Sequence, residues 1–424
     1  NITVNSGGTL ALNVGGTNEF STGNVTTLLT NLGGLGGSVN NNGLRSGSAI
    51  AFDTTNASGG NFTIADIIAN STGTGGGAIG LTKLGTGTLI LSGTNTYTGN
   101  TTVSAGVLSI SSTSALPSWS TNGSYSVANG ASLAVYNAVT DANITTMLGT
   151  TNFAAGSAIG FDTTTANRTY SGNLGNTGQG TLGLTKVGSN TLTLTGNNTY
   201  TGNTTISAGT LAISGGSAIA DSGTVTLANT AGVVFSVNSS ETIASLQGGG
   251  STGGNVTIAS GQTLTVAEAN TNSFNGTITG AGAFTKSGAG TLTLSGNNTY
   301  TGGTTILGSN NLNMGANNAL GNGTLTFNGT ATTRLNIQNT NQTITGLTVL
   351  GSSASVIQNE AATAGTGTVT FNLADGVTSN STSMFYFRDT SGGANATVRL
   401  ALVKTGNGTL DFSTFNSMLY SGGL

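Results

Sequence analysis

Hydrophobic and polar residues alternate along many short segments of this chain. The alternation is clearest at residues 191–194 (TLTL), 256–258 (VTI), 263–266 (TLTV) and 291–294 (TLTL). A period of two is typical of β-strands with one buried face and one face toward water. Clusters of Gly and Asn separate these segments and favour turns. The chain has a single proline and no long segment of helical period, so we predict an almost all-β protein.

One sequence pattern recurs four times along the chain. It reads LTK-x-G-x-x-TL-x-L-x-G-x-NTYTG-x-TT, with copies at 81–110, 184–213 and 284–314 and a degenerate fourth copy at 402–424. Internal repeats indicate an array in which each unit buries its apolar face against its neighbours. The residues that define the first three copies, and that we expect to have structural roles, are Lys83, Gly87, Leu89, Leu91, Tyr97, Gly99, Lys186, Leu192, Leu194, Tyr200, Gly202, Lys286, Leu292, Leu294, Tyr300 and Gly302.

The spacing within each copy predicts a solenoid rather than a sandwich. Leu108 follows Leu89 by nineteen residues, and Leu312 follows Leu292 by twenty. A coil of three short strands and three turns needs about that many residues, and successive coils stack in parallel about 4.8 Å apart. We therefore predict a parallel β-helix, or β-solenoid, with roughly 19–20 residues per coil. The predicted solenoid modules are residues 1–111, 112–214, 215–314 and 315–424.

The chain contains few residue types that support catalysis or metal binding. Its 424 residues include 9 Lys and Arg, 12 Asp and Glu, no His and no Cys. An imidazole base, a thiolate nucleophile and a His or Cys metal site are therefore impossible within the chain. The Asp and Glu residues are scattered and form no calcium-binding repeat. We predict no enzymatic activity, no cofactor and no metal.

Charge and hydropathy also restrict the partners. A formal net charge of −3 supplies no basic field that attracts nucleic acid. No apolar stretch of about 18 residues occurs, so we predict no membrane insertion by this segment. The Thr-rich strands are similar to the threonine arrays of ice-binding solenoids, but residues 107–110 (VLSI) and 211–213 (LAI) interrupt the pattern. We therefore interpret Thr as an ordinary strand former.

The four copies resemble the autotransporter-associated β-strand repeat, also called the passenger-associated transport repeat. This repeat occurs in large surface and secreted proteins of bacteria, and the match lies on the lysine, glycine, leucine, asparagine and tyrosine positions of the pattern. The resemblance implies a right-handed parallel β-helix, export from the cell and no catalytic residues. The fourth copy departs from the pattern, since Met418 and Leu419 replace the Asn and Thr before the tyrosine. Its Lys404 precedes Tyr420 by 16 residues, against 14 in the other copies.

Two related segments outside the motif predict helical turns. Residues 24–29 (NVTTLL) and 143–148 (NITTML) match each other and lack the alternation of a strand. We predict that each forms a single helical turn that leaves the β-coil.

Both ends of the chain are similar to the interior of a repeat. Residues 1–12 align with residues 255–266, and residues 420–424 align with residues 300–304. Open solenoid ends accept further coils by strand pairing. We therefore expect either continuation into a longer polypeptide or end-to-end self-association.

The repeated lysine and tyrosine positions each allow two interpretations. The lysines suggest an isopeptide cross-link with Asn, but that chemistry needs a buried carboxylate, which the motif lacks. We favour lysines that lie along the solenoid surface. Tyr97, Tyr200 and Tyr300 suggest a row that stacks on sugar rings, but about 100 residues separate each pair. We favour tyrosines that pack into turns.

Two aromatic segments are candidates for contact with another molecule. Phe385, Tyr386 and Phe387 form the densest aromatic group and break the alternation. They either fill the core beneath a loop, which we favour, or present an interface. Trp119 lies close to Pro117, and a lone tryptophan near a turn is often a recognition anchor. For Trp119 we also favour a structural role.

These observations favour a structural function outside the cell. The leading hypothesis is a non-catalytic segment of a long extracellular bacterial fibre or surface stalk built from stacked β-coils. The alternative is an adhesin passenger that binds surface glycans or proteins through loops at residues 111–125 or 384–389. Both hypotheses place the chain at the cell surface or in the extracellular space.

Overall fold

The computed structural model describes residues 2–35, 43–215, 217–308, 311–381, 384–389, 398–411 and 417–419. The chain divides into two compact units. The first consists of Asn1–Leu192 and Thr199–Asn203, and the second of Thr193–Asn198 and Thr204–Leu424. Each unit is built mainly of short strands that pair in parallel, so the predicted β-solenoid is confirmed.

The first unit contains two α-helices, two short 3-10 helices and the first fifteen strands among its described residues. The helices are α1 (Thr22–Leu35) and α2 (Asp141–Leu148), and the 3-10 helices are Ser58–Gly60 and Thr113–Ala115. The strands are β1 (Thr3–Val4), β2 (Thr9–Asn13), β3 (Gly43–Leu44), β4 (Ala49–Asp53), β5 (Asn61–Ile64), β6 (Gly80–Leu84), β7 (Thr88–Leu91), β8 (Thr101–Val103), β9 (Val107–Ile110), β10 (Tyr125–Val127), β11 (Ser132–Val135), β12 (Ser157–Asp162), β13 (Arg168–Tyr170), β14 (Leu182–Val187) and β15 (Thr191–Leu194), the last of which ends in the second unit.

The described part of the second unit consists of strands and their turns. The strands are β16 (Thr204–Ile206), β17 (Thr210–Ile213), β18 (Thr224–Leu227), β19 (Val234–Val237), β20 (Glu241–Ile243), β21 (Ser245–Gly248), β22 (Asn255–Ile258), β23 (Thr263–Ala267), β24 (Thr271–Phe274), β25 (Ile278–Gly280), β26 (Ala283–Ser287), β27 (Thr291–Leu294), β28 (Thr304–Leu307), β29 (Asn311–Met314), β30 (Thr324–Asn328), β31 (Thr333–Asn336), β32 (Asn341–Ile344), β33 (Gly346–Val349), β34 (Ser355–Gln358), β35 (Gly365–Asn372), β36 (Thr378–Ser381), β37 (Phe385–Arg388), β38 (Val398–Thr405), β39 (Thr409–Leu410) and β40 (Ser417–Leu419).

The strands of the second unit line the three sides of each coil. One side is formed by the strands β18, β21, β24, β27, β29, β31, β34, β37 and β40. A second side is formed by the strands β20, β23, β26, β28, β30, β33, β36 and β39. The third side has strands β17, β19, β22 and β25, and then β32, β35 and β38. Between β27 and β28 no strand occupies this third side, because the Asn-Tyr segment of the motif runs there in an irregular conformation.

The first unit follows the same plan with parallel sheets. One sheet has the order β2, β4, β6, β8, β10, and within this unit another has the order β5, β7, β9, β11, β12, β14. Leu133 of β11 pairs with Ile159 of β12, which pairs with Leu184 of β14. All three side chains are fully buried, so aliphatic groups stack directly on one another in successive coils. This stacking is the source of the hydrophobic core.

Coil length is not uniform along the chain. Leu89 pairs with Leu108, as the nineteen-residue spacing predicts. The predicted 19–20 residues hold for coils within the motif copies and for the coil from β23 to β26, while several other coils are longer. Leu10 pairs with Ile50, which follows it by forty residues, because α1 is inserted between their strands. Insertions therefore leave the coil at its corners and preserve the register of the strands.

Both segments that were predicted as helical turns are helices, and both are longer than one turn. The helix α1 has 14 residues and α2 has 8 residues. In α2 the hydroxyl oxygen of Thr140 accepts from the backbone N–H of Asn143, which is a standard N-cap. Ile144 and Met147 are buried on the inner face of this helix. In α1 the residues Val25 and Leu29 are buried, so each helix buries one apolar stripe.

Candidate functional site: the repeat motif and the outer strand faces

The motif lysines are buried. Lys83 and its counterparts Lys186 and Lys286 each have 0% of their surface exposed, so the predicted position on the solenoid surface is wrong. In β6 the alternation places Leu81 and Lys83 on the same inward side. The Nζ atom of Lys83 donates to the carbonyl oxygens of Leu84 at 2.6 Å, Gly85 at 2.7 Å and Ala105 at 3.2 Å. The ammonium group therefore closes its own turn and ties that turn to the next coil.

The same carbonyl contacts recur in the other copies. Lys286 Nζ donates to the carbonyl oxygens of Ser287 at 2.5 Å and Gly288 at 3.2 Å. Lys404 repeats the pair with Thr405 at 3.0 Å and Gly406 at 2.7 Å, but its side chain is exposed. The glycine of each turn has a positive φ, which is 76° for Gly288 and 72° for Gly406. The K-x-G pattern therefore encodes a left-handed turn whose carbonyl oxygens face a lysine.

Burial and nearby carboxylates have opposite effects on the pKa of these lysines. Burial lowers the pKa of Lys83, Lys186 and Lys286 to about 8 in each case, while a carboxylate of the preceding coil raises it. The carboxylate near Lys83 is Asp53, and hydrogen bonds from Thr55 together with the charge of Lys83 lower the pKa of Asp53. The carboxylates thus come from outside the motif. Because Nζ donates to backbone carbonyl oxygens, the lysine contacts are those of a structural cap.

The motif asparagine connects three consecutive coils. Asn95 accepts from the backbone N–H of Ile68 at 2.8 Å and donates to the carbonyl oxygen of Ala115 at 2.7 Å. Asn298 makes the equivalent bonds to Ile278 at 2.7 Å and Ala319 at 2.5 Å. The two partners lie in the coils before and after the asparagine. This amide therefore satisfies backbone groups on the side of the coil that has no strand.

The motif tyrosines pack into the corners, as expected. Tyr97, Tyr200 and Tyr300 are at most 1% exposed, so they form no surface row for sugar stacking. The hydroxyl groups of Tyr97 and Thr101 lie 2.6 Å apart, and those of Tyr300 and Thr304 are also 2.6 Å apart. Burial raises the pKa of Tyr97 to about 12. Burial likewise raises the pKa of Tyr300, so Tyr97 and Tyr300 stay neutral, and each joins the corner to the following strand.

The other motif positions also lie at the core or at close backbone approaches. The motif leucines, such as Leu89 and Leu292, are fully buried. A Cβ atom on Gly99 would lie 2.4 Å from the carbonyl oxygen of Ile79, and one on Gly87 would lie 2.5 Å from that of Thr54. These positions accept no side chain without a backbone shift. In the first three copies, the motif lysines, leucines and tyrosines therefore lie inside the coil.

Two of the four candidate interaction residues are withdrawn into the core. Phe385 and Phe387 are fully buried, and their ring centroids lie 4.9 Å apart. They occupy the inward positions of β37, while Tyr386 between them faces outward and is partly exposed. Trp119 is also partly exposed and follows Ser118, whose φ is 55°. Trp119 and Tyr386 are therefore the two candidates that reach solvent.

Two arginines face outward on the same sheet as Tyr386; Arg388 lies within the candidate interaction segment 384–389, and the sequence interpretation missed Arg334. Arg334 lies in β31 and Arg388 in β37, and both are half-buried. Strand alternation predicts that both arginines face outward, because Arg334 precedes the inward Leu335 and Arg388 follows the inward Phe387. Tyr420 and the rest of residues 420–424 lie outside the described residues.

Within the described residues no helix is long and apolar enough to cross a membrane. No group of three or more Asp and Glu residues in this part of the chain is arranged to hold a metal ion.

Comparison with known proteins identifies the motif. The passenger-associated transport repeat matches residues 81–110, 184–213, 284–308 and 402–424. An adhesin autotransporter named BmaC from Brucella suis biovar 1 (strain 1330) is 36% identical over 204 residues, which is 45% of this chain. The chain matches 6% of the length of that adhesin. No solved structure matches. The chain therefore carries four passenger-associated transport repeats in a parallel β-solenoid, and its likeness to an autotransporter adhesin indicates a location at the bacterial cell surface or exterior.

Proposed function

We propose that this chain is a non-catalytic structural segment of a long extracellular fibre or surface stalk. Its building blocks are the four sequence modules at residues 1–111, 112–214, 215–314 and 315–424. In this proposal the segment either continues into further coils of a longer polypeptide or joins another copy end to end. The repeat motif supplies the fixed points that hold the coils in register.

The observation that carries this proposal is the use of the motif side chains. The buried ammonium group of Lys83, the amide of Asn95 and the hydroxyl of Tyr97 are all bonded within the solenoid. Polar groups that serve catalysis or ligand binding need contact with solvent or substrate, and these groups have none. Their bonds link neighbouring coils, which suits a segment that resists separation of its coils.

Electron microscopy of the purified segment tests the structural role. We expect thin fibres from the unchanged chain and loss of them in a triple variant that carries Lys83→Met, Lys186→Met and Lys286→Met. The matched control is Lys404→Met, which removes an exposed lysine with the same carbonyl contacts. Compact particles from the unchanged chain contradict the proposal, as do fibres of equal length and stability from the triple variant.

A second candidate function is adhesion through residues that leave the coil interior. The adhesin relative and the outward position of Tyr386 favour it. Attachment of bacteria that display the chain is the direct assay. Replacement of residues 111–125 and the substitution Tyr386→Ala, made separately, show which region contributes. Attachment that neither change reduces removes this candidate and leaves the stalk role intact.

A further inference from the structure

Three neighbouring strands of the second unit carry an unusual outer face. In parallel register, Arg334 of β31 pairs with Val356 of β34, which pairs with Tyr386 of β37. In the adjacent row, Gln358 of β34 pairs with Arg388 of β37. We call this set of five residues the β31–β37 face. Side chains on one face of paired strands lie close to each other, so these groups are neighbours in space.

Cationic residues are rare in this protein, and two of them lie on this face. The chain has 9 Lys and Arg. Three motif lysines are buried among carbonyl oxygens, and Arg168 pairs with Asp141 at 2.8 Å. Arg334, by contrast, has no hydrogen-bond or ion-pair partner within the described part of the chain. A half-buried guanidinium group without a partner is a binding group for an anion.

The two guanidinium groups influence each other. Burial and the positive charge of Arg334 both lower the pKa of Arg388, while Glu360 raises it. Strands β31 and β37 are two steps apart in the sheet, which separates their backbones by about 10 Å. Like charges on one face are unfavourable for folding alone, and a bound anion relieves that cost. Glu360 offsets part of the charge, and its Oε2 already accepts from Gln358 Nε2 at 2.6 Å.

The face is also organised in advance of binding. Arg388 Nε donates to Gln358 Oε1 at 2.6 Å. Gln358 Nε2 donates to Asn336 Oδ1 at 2.5 Å, and Asn336 Nδ2 donates to Asn313 Oδ1 at 2.7 Å. This chain of amides crosses three strands and fixes the guanidinium group of Arg388. A fixed group loses little conformational entropy when a ligand binds.

Tyr386 distinguishes a saccharide from a simple anion. It faces outward and is half-buried, in the same row as Arg334 and two residues before Arg388. Its aromatic ring is a flat apolar group, which suits the face of a sugar ring. Arg334 and Arg388 lie two strands apart and two residues apart along the strand direction, so their backbones are about 12 Å apart. An oligosaccharide that carries acid groups on different sugars is long enough to reach both.

We propose that the β31–β37 face binds an acidic saccharide, with its acid groups on Arg334 and Arg388 and a sugar ring on Tyr386. This inference rests on the adhesion candidate and names its ligand class. The acid group is a carboxylate, as in a uronic acid, or a sulfate. An acidic peptide shares the charge but lacks the ring, so it is the alternative that the test must separate.

Isothermal titration calorimetry of the full chain tests this assignment. The probes are an oligogalacturonate, a sulfated galactose oligomer, a neutral galactose oligomer and a poly-glutamate peptide. We expect one acidic saccharide to bind and the neutral saccharide and the peptide not to bind. Arg334→Gln and Arg388→Gln each weaken binding by about tenfold or more, because each removes a charge-assisted contact. Tyr386→Phe retains affinity and Tyr386→Ala loses it.

Arg399→Gln is the matched control. Arg399 is exposed on β38, so its loss removes the same charge from a different sheet. We expect its affinity to stay within about twofold of the unchanged chain, and added salt to weaken binding of all variants. The absence of binding by either acidic saccharide at millimolar concentration overturns the proposal. Equal losses in Arg399→Gln, or tighter binding of the peptide, also overturn it. Fibre images of the same preparations show separately whether the structural role has failed.

Discussion

The buried lysines provide the sharpest prediction from the fold. Lys286→Met keeps the aliphatic part of the side chain and removes the donor to the carbonyl oxygens of Ser287 and Gly288. Each buried carbonyl that loses its donor costs about 1–3 kcal/mol, so the two together cost about 2–6 kcal/mol. Burial of the charged lysine is itself unfavourable, and it lowers the pKa of Lys286 to about 8. Methionine removes this cost, which offsets part of the loss. We therefore expect a net loss of about 2 kcal/mol in local stability.

Hydrogen exchange measured by mass spectrometry resolves this loss locally. A change of about 2 kcal/mol corresponds to roughly thirtyfold faster exchange of amides in β26 and β28. The control Lys404→Met removes the same two contacts from an exposed lysine, where water replaces the donor. It should change local stability by less than about 0.5 kcal/mol. Equal exchange in Lys286→Met and the unchanged chain, or equal effects of the two substitutions, refutes the argument.

Three further predictions follow from individual contacts. Glu241 is 4% exposed, and burial raises its pKa from 4.5 to about 7. The stability that protonated Glu241 gives the folded state is therefore fully present below pH 4.5 and is lost as the pH rises through 7. Glu241→Gln should therefore abolish a decline in the melting temperature of the second unit between pH 4.5 and 7.5, and an unchanged decline excludes this cause. Gly188→Ala should cost about 3 kcal/mol or more in urea unfolding, because φ is 78° and the new Cβ would lie 2.3 Å from Thr164 N. Gly130→Ala, with φ of 77° and nothing within 4 Å, should cost only about 1 kcal/mol, and similar losses would contradict the steric account. Asn298→Ala should accelerate exchange at the amide of Ile278 by about tenfold or more, because that amide loses its acceptor, and unchanged exchange would show that the bridge is not needed.

The coil register was predictable because the motif repeats it without insertions. Leu292 pairs with Leu312, as their spacing of twenty residues indicates. Coils outside the motif were not predictable in length, since loops and helices leave the corners without disturbing the strands. The fourteen residues of α1 include Gly33 and Gly34, which disfavour a helix, so its extent depends on tertiary packing.

The lysine positions show what a sequence pattern conceals. Alternation in GLTKL places Lys83 on the same side as Leu81, which signals an inward lysine. A lysine is ordinarily a surface residue, and that general preference outweighed the alternation in the sequence interpretation. Its partners are backbone carbonyl oxygens, which no sequence pattern displays. The pair Arg334 and Arg388 was likewise hidden, because 54 residues separate two side chains that the stacking of coils brings to one face.

Disulfide formation between engineered cysteines tests the stacked-coil account most directly. The chain has no cysteine, and Thr293 of β27 pairs with Asn313 of β29. Paired residues of adjacent parallel strands lie about 4.8 Å apart, within the range that a disulfide spans. Thr293→Cys with Asn313→Cys should oxidise readily, whereas Thr293→Cys with Asn311→Cys, displaced by two residues, should not. Efficient cross-linking of the displaced pair and none of the register pair would contradict the account.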